Sequence, residues 1–276
     1  MRKVGGHVSI AGGIINAVQN TINIGGNCMQ IFAGSPRLWA RSLWNKNDTE
    51  KFISVINSNN LNPVFIHALY LVNLATDNPE LLEKSINSLI VDLQNGSQIN
   101  SSGVIVHIGS HQGRGFDSAK NQIVDSLKKI LSQTKDCNFL LENDAGQNGK
   151  IGSIEELSYL IKEVNNPRLK ICFDTAHLFE GGLDMRDKNI LNQFVDELKK
   201  LNILDKVVCI HLNDSATDLD SHRDNHADLG KGKIGLKGLS NFVNHSEFKN
   251  LPLILETPGP DKMGPNAENI TIAKSL

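Results

Sequence analysis

The feature that most constrains this chain is a repeat of one theme: a short apolar or β-branched run, then polar turn residues, then a helix-length segment. Eight such runs occur, at residues 6–10, 28–33, 63–68, 103–108, 138–143, 169–175, 207–212 and 251–257. Several are almost continuously apolar, as in GVIVHI, KICFDT and VVCIHL, which suits parallel strands buried on both faces. Successive starts lie about 20 to 45 residues apart, the length of a strand–helix–strand unit. Between them, 79–93 (PELLEKSINSLIVDL), 117–131, 153–164 and 190–201 carry apolar residues at helical spacing. Pro79 stands at a helix start, and Ser153 with Glu156 has the spacing of a capping box. No Pro/Ser-rich linker or charge block divides the 276 residues. The pattern predicts an α/β chain forming one domain over 1–276, a single (β/α)8 TIM barrel with its functional site at the C-terminal mouth of the strands. An open doubly wound sheet is the rival arrangement.

Composition narrows the setting. Lys and Arg number 28 against 30 Asp and Glu, a net charge of −2, so no chain-wide basic field draws it to nucleic acid or anionic lipid. The four cysteines (Cys28, Cys137, Cys172, Cys209) are dispersed without a CxxC pair, and reduced thiols in a reducing compartment are expected. MRKVGGHVSI lacks the long apolar region of a secretory signal, and no run of about 18 apolar residues occurs. An intracellular, cytoplasmic protein without membrane association is expected.

The chemistry gathers where the runs end. His67 lies in VFIHALY, His107 in VIVHIGSH, Glu142 in FLLENDAG, Asp174 and His177 in ICFDTAH, and His211 in VCIHLND. Asp224 and His226 fall in HRDNH after the seventh run, and Glu256 in LILETPG. Six successive strands thus carry a metal-competent group at or just past the carboxyl end, where barrel active sites are built. A polar group in an apolar strand is costly to bury unless it is paired or bound, and six repetitions call for one cause. Nitrogen and carboxylate donors without thiolate suit zinc, with manganese or iron as alternatives. Nine donors exceed one ion's needs, whereas two or three clustered ions would fit, with Glu142 able to bridge. Four carboxylates contribute −4 and three divalent ions +6, leaving a mouth of +2 that can receive a phosphate. Clustered ions of this kind stabilise both the attacking and leaving oxygens of a phosphoryl displacement.

Other residues take plainer expectations. His7 has no companion carboxylate and reads as a supporting or structural group. His111 and His222 adjoin the donors but break the one-per-strand pattern, and His245 in NHSEF reads as surface. Cys172 and Cys209 each precede a donor by two residues, so they share its strand face inside the barrel, in a packing role.

Taken in order, GGHVSIAGG, HALYLVNLA, HIGSH, LENDAGQ, DTAH, HLNDS, DNHADLGKGKIG and LETPG resemble the endonuclease IV family of apurinic/apyrimidinic endonucleases over nearly the whole chain. The resemblance implies a zinc-dependent (β/α)8 barrel that cuts DNA 5′ to an abasic site, leaving a 3′-hydroxyl and a 5′-deoxyribose phosphate, and that also removes blocking groups from 3′ ends. It implies three zinc ions: one on His67, His107 and Glu142; a second on Glu142, Asp174, His211 and Glu256; a third on His177, Asp224 and His226. It also implies Arg37, Tyr70 and Leu71 as DNA-binding residues that enter the duplex while the abasic nucleotide swings out. A missing base makes that extrusion cheap, and a bulky side chain can fill the gap.

Two positions depart from the family's pattern. HIGS stands for HPGS, placing Ile108 where a proline is usual, and DNH for DRH, placing Asn225 where an arginine is usual, with Arg223 a nearby substitute. The glycines and lysines of 230–235 (GKGKIG) suit either a phosphate contact or a plain turn.

The expected reaction is metal-assisted phosphodiester hydrolysis with Glu142 as the catalytic residue, bridging two ions and orienting the nucleophile. The partner is double-stranded DNA with abasic sites or blocked 3′ ends, gripped by a monomer. One rival is a metal-dependent sugar isomerase or epimerase on a related barrel, which needs fewer ions than these donors can hold. The other is a non-catalytic binder of damaged DNA with structural metals, although structural zinc sites are usually closed and four-coordinate.

Overall fold

A computed structural model describes residues 2–276. Eight parallel strands close into a barrel: β1 (Val4–His7), β2 (Cys28–Phe32), β3 (Val64–His67), β4 (Gly103–Val106), β5 (Phe139–Glu142), β6 (Leu169–Asp174), β7 (Val207–His211) and β10 (Leu253–Leu255). Closure comes from β1, which pairs with β2 on one side and with β10 on the other. A two-stranded ribbon, β8 (Asp214–Ser215) with β9 (His226–Ala227), rises from the mouth after β7. The open doubly wound alternative is thereby excluded.

Helices α1 (Asn16–Asn23), α2 (Lys46–Ser58), α3 (Pro79–Gln98), α4 (Phe116–Ser132) and α5 (Ile154–Val164) cover the outside, as do α7 (Lys188–Lys200), α8 (Gly235–Val243) and α9 (Ala267–Ser275), while the short, buried α6 (Thr175–Glu180) starts at the mouth. The caps are those the sequence suggests. Asn78 accepts the Glu80 and Leu81 amides ahead of Pro79, and the Ser153–Glu156 capping box opens α5. No described helix is long and apolar enough to cross a membrane.

The first strand departs from its expected position at 6–10 and occupies Val4–His7. Gly5 and Gly6 carry ladder pairs to both neighbours, and a glycine adds nothing to a hydrophobic pattern, so the pattern pointed downstream to Val8 and Ile10. Gly5 is required where it stands, because a Cβ there would meet the Cys28 carbonyl oxygen at 1.8 Å.

Inside the barrel, below the mouth, Cys28, Phe65, Ile105, Leu140, Cys172, Cys209 and Ile254 form a plug of buried side chains. Cys172 and Cys209 therefore pack, as expected, and all four cysteines are free and buried. With the floor sealed, polar side chains one step further along the strands emerge into a single recess at the carboxyl ends.

Candidate metal centre

His67, Glu142, Asp174 and His211 are the last residues of β3, β5, β6 and β7, and His107 and Glu256 directly follow β4 and β10. His177 lies in the first turn of α6, with Asp224 before β9 and His226 at its start. Asp174 makes this local geometry. As N-cap of α6 its Oδ1 accepts the amides of Ala176 and His177 at 2.7 and 3.1 Å, so the helix begins against the cluster and carries His177 into it.

All nine sequence-identified donors converge. Glu142, wholly buried, stands at the centre: Oε2 is 3.3 Å from His67 Nε2 and 3.4 Å from His107 Nε2, and Oε1 is 2.8 Å from His211 Nδ1. His211 Nδ1 also faces Glu256 Oε2 at 3.4 Å and Asp174 Oδ2 at 4.0 Å. Across the recess, His177 Nε2 lies 3.2 Å from Asp224 Oδ1 and 3.4 Å from His226 Nε2, and His226 Nε2 lies 3.4 Å from Asp174 Oδ2. Three groups of nitrogen and oxygen donors lie within 4.8 Å of one another, His67–His107–Glu142, Glu142–Asp174–His211–Glu256, and Asp174–His177–His226, and a fourth group joins His211 to the floor thiols Cys172 and Cys209. Asp174 thus belongs to two of them, and Asp224 adjoins the third.

The donor set fits divalent cations, and the reason is orientation. His67 Nδ1 donates to the Ala68 carbonyl at 2.7 Å and His177 Nδ1 to the Asn143 carbonyl at 3.0 Å. His107 Nδ1 meets Asp144 Oδ2 at 3.2 Å. With the outer nitrogen carrying the proton, the inner nitrogen turns a lone pair toward a carboxylate oxygen or another imidazole. Lone pairs so opposed repel unless positive charge lies between them, and outer partners of this kind are how metal-ligating histidines are held.

Titration points the same way. Burial opposes ionisation of Glu142, yet His107 and His211 hold its carboxyl well below the ordinary range. Burial likewise opposes charge on His177 and His211, yet Asp174 beside the first and Glu256 and Glu142 beside the second raise both well above a normal imidazole. The cluster's field favours positive charge at its centre.

A cavity of about 620 Å³ opens over the cluster, lined by His7, Phe32, Tyr70, Glu256 and Met263 among others. Tyr70 is 60% exposed at its rim, with its ring edge-on to Phe32 at 5.3 Å, and Leu71 is 37% exposed beside it. Arg37 is exposed on the loop between β2 and α2. The two rim loops are joined, since the Tyr70 amide donates to the Pro36 carbonyl at 3.1 Å. The Arg37 loop is also braced from α3. Arg41 pairs through Nε with the wholly buried Asp92 at 3.2 Å and donates to the Ser35 carbonyl at 2.9 Å, while Asn95 takes the Trp44 amide and donates to the Ser42 carbonyl.

His7 is a supporting group, with Nδ1 3.1 Å from Glu256 Oε1. His111 accepts the amides of Gly113 and Gly115, and His222 Nδ1 meets the Ala145 carbonyl. Both line a neighbouring cavity and stand outside the donor groups. His245 differs from expectation: it is half-buried, its ring 5.6 Å from that of Phe248. Ile108 is buried in the core, and its carbonyl accepts the Leu74 amide. The exposed Asn225 is tied by its backbone amide to Glu180 Oε1 at 3.2 Å, and Arg223 is exposed. The glycine loop after β9 is a turn: the amides of Gly230, Gly232, Ile234 and Gly235 all donate to the buried Asp214 carboxylate, so they are spent there and not on a phosphate.

Residue chemistry alone passed over several groups that serve the cluster. Gln30 joins His211 to Glu256, and Asn213 Nδ2 donates to Asp174 Oδ2 at 2.6 Å. Lys150 lies 3.3 Å from Asp144 Oδ2 and 3.4 Å from Asp224 Oδ2. The available signal was a polar residue inside an apolar run, as in CMQIFA and HLND.

The family described as xylose isomerase-like TIM barrel matches residues 18–275. A probable endonuclease 4 from Halothermothrix orenii is 40% identical over 266 residues, covering 94% of this chain and 96% of the relative. The crystal structure of endonuclease IV from Thermus thermophilus superposes with a TM-score of 0.86 at 34% identity, covering 99% of this chain and 98% of that one. A D-tagatose 3-epimerase-like protein superposes with a TM-score of 0.71 at 16% identity, covering 99% and 94%, a likeness of fold alone. The near-complete coverage and the level of identity place this chain in the endonuclease IV family.

Proposed function

We propose that the chain is a metal-dependent DNA-repair endonuclease that hydrolyses the phosphodiester bond 5′ to an abasic site, leaving a 3′-hydroxyl and a 5′-deoxyribose phosphate, and that also clears blocked 3′ ends. The observation that carries this reading is the convergence of nine nitrogen and oxygen donors on one recess, with imidazoles anchored so that their free nitrogens face carboxylates. His67, His107 and Glu142 would hold one zinc ion, Glu142, Asp174, His211 and Glu256 a second, and His177, Asp224 and His226 a third, with manganese or iron as substitutes. When bound, such ions neutralise the phosphate and the developing charge on the attacking and leaving oxygens, and generate hydroxide near neutral pH.

The chain's own residues account for the rest. Glu142 faces imidazoles with both carboxylate oxygens, so it can bridge two positions and orient the nucleophile. Tyr70 and Leu71, exposed at the rim, and Arg37 on the adjoining loop supply the side chains that enter the duplex and fill the space left there. The cavity above the cluster receives the extruded sugar, which a missing base frees at small cost. Its openness over the donors favours catalysis over a merely structural metal site, which would be closed.

The test is a 5′-labelled duplex carrying one tetrahydrofuran abasic analogue, incubated with the protein as purified, after metal stripping and after zinc is restored. The analogue blocks β-elimination, so a cut is hydrolytic. Scission directly 5′ to the analogue, lost on stripping and regained with zinc, is expected. Metallated protein that leaves the duplex intact refutes the proposal.

A further inference from the structure

Gln30 sits in the middle of β2, wholly buried, on a strand that contributes no donor to the cluster. A buried amide is costly unless both of its ends are bonded, and here both ends are bonded to the candidate metal centre. Its Oε1 accepts from His211 Nε2 at 2.8 Å, and its Nε2 donates to Glu256 Oε1 at 2.6 Å, with His7 Nδ1 3.0 Å from the same nitrogen. The reverse orientation of the amide would set two acceptor oxygens against each other at that second contact, so Glu256 determines which end faces His211.

Two consequences follow for the donors. With Nε2–H committed to Gln30, His211 turns the Nδ1 lone pair toward Glu142 Oε1 and Glu256 Oε2, 2.8 and 3.4 Å away. With Oε1 held by Gln30 at 2.6 Å and by His7 at 3.1 Å, Glu256 keeps Oε2 on the side of His211. One neutral side chain thereby sets the tautomer of one donor and, by the shorter of two contacts, the rotation of another. Being uncharged, it does so without adding a cation that would compete with a metal or an anion that would merely attract one.

We propose that Gln30 is a positioning residue that determines cation affinity at the Glu142–Asp174–His211–Glu256 group. The inference rests on reading that group as a metal site, and it is tested without DNA. The full chain and its Gln30→Met and Gln30→Leu variants are stripped of metal and titrated with zinc in competition with a chromophoric chelator. Thermal melting of the stripped and zinc-loaded forms is recorded in parallel.

Outer partners of metal-bound histidines are worth about 10- to 100-fold in metal affinity. One class of zinc should therefore bind 10- to 100-fold more weakly in both variants, and their zinc-induced rise in melting temperature should shrink. A purely structural Gln30 would lower the melting temperatures of stripped and loaded forms equally and leave the zinc-induced rise intact. That outcome, or zinc affinities within threefold of wild type in whichever variant melts cooperatively, overturns the proposal. Wild-type chain that takes up no zinc overturns the metal reading along with it. Wild-type chain that binds zinc but leaves abasic DNA uncut refutes the endonuclease reading and leaves the Gln30 comparison to be decided by the titration.

Discussion

Replacing Glu142 with Gln changes one atom of a wholly buried carboxylate at the centre of the recess and removes its charge. Both oxygens now lie within 3.4 Å of imidazole nitrogens, at 3.3 and 3.4 Å on one side and 2.8 Å on the other. A unit positive charge 4 Å from the carboxylate is stabilised by about 4 kcal/mol at an effective dielectric of 20. That interaction is realised in full only as the attacking water gives up its proton beside the carboxylate, so its loss slows the reaction by about three decades. The amide matches the carboxylate in shape, so the barrel and the rim loops persist, and binding to the lesion should hold within a few fold. The assay is single-turnover cleavage of the tetrahydrofuran duplex, with zinc content measured on the same sample and affinity measured by anisotropy. A Glu142→Gln variant with wild-type zinc content that cuts within tenfold of wild type would refute the bridging role. A variant that fails to bind the duplex would show that Glu142 acts through the fold instead.

Two further outcomes are expected. Tyr70→Ala should weaken binding to abasic duplex by about 5- to 150-fold, the range of a lost base–aromatic contact of about 1–3 kcal/mol, while affinity for undamaged duplex of the same sequence is unchanged; equal losses on both would assign Tyr70 to general grip. Asp92 gives a pH signature: burial pushes its carboxyl up to about 7 from 3.8 and Arg41 only partly offsets this. The native state therefore holds a proton that the unfolded chain has lost, so this group's contribution to stability is complete below pH 3.8 and disappears as pH rises through about 7. Melting temperatures of Asp92→Asn relative to wild type should rise from pH 5 to pH 8, and a difference independent of pH would remove the buried charge as its cause.

Much of the barrel was legible because its elements are local. Apolar runs and helical spacing located every barrel strand except the first, where Gly5 and Gly6 offer no side chain to count, and left out the short β8–β9 ribbon. Four helices stood out by spacing. The five others include α6, which is six residues long and owes its start to the Asp174 cap more than to amphipathic spacing. The capping box at Ser153 was legible because its partners are three residues apart.

The donors were legible for a similar reason: a histidine or carboxylate at the end of an apolar strand is conspicuous in the sequence itself, and six of them at corresponding positions have one common location in a closed barrel, with His177, Asp224 and His226 following soon after two of those ends. Which nitrogen each imidazole turns inward, and what holds it there, was decided only by the tertiary structure. Gln30 and His211 are 181 residues apart, and their bond exists because closure of the barrel sets β2 and β7 facing one mouth. The amides of the 230–235 loop turned out to be spent on Asp214, 16 to 21 residues upstream. Sequence determined which chemical groups reach the recess, because that depends on residue type and strand period. The folded chain determined their tautomers, rotations and partners, because those depend on side chains brought together only when the barrel closes.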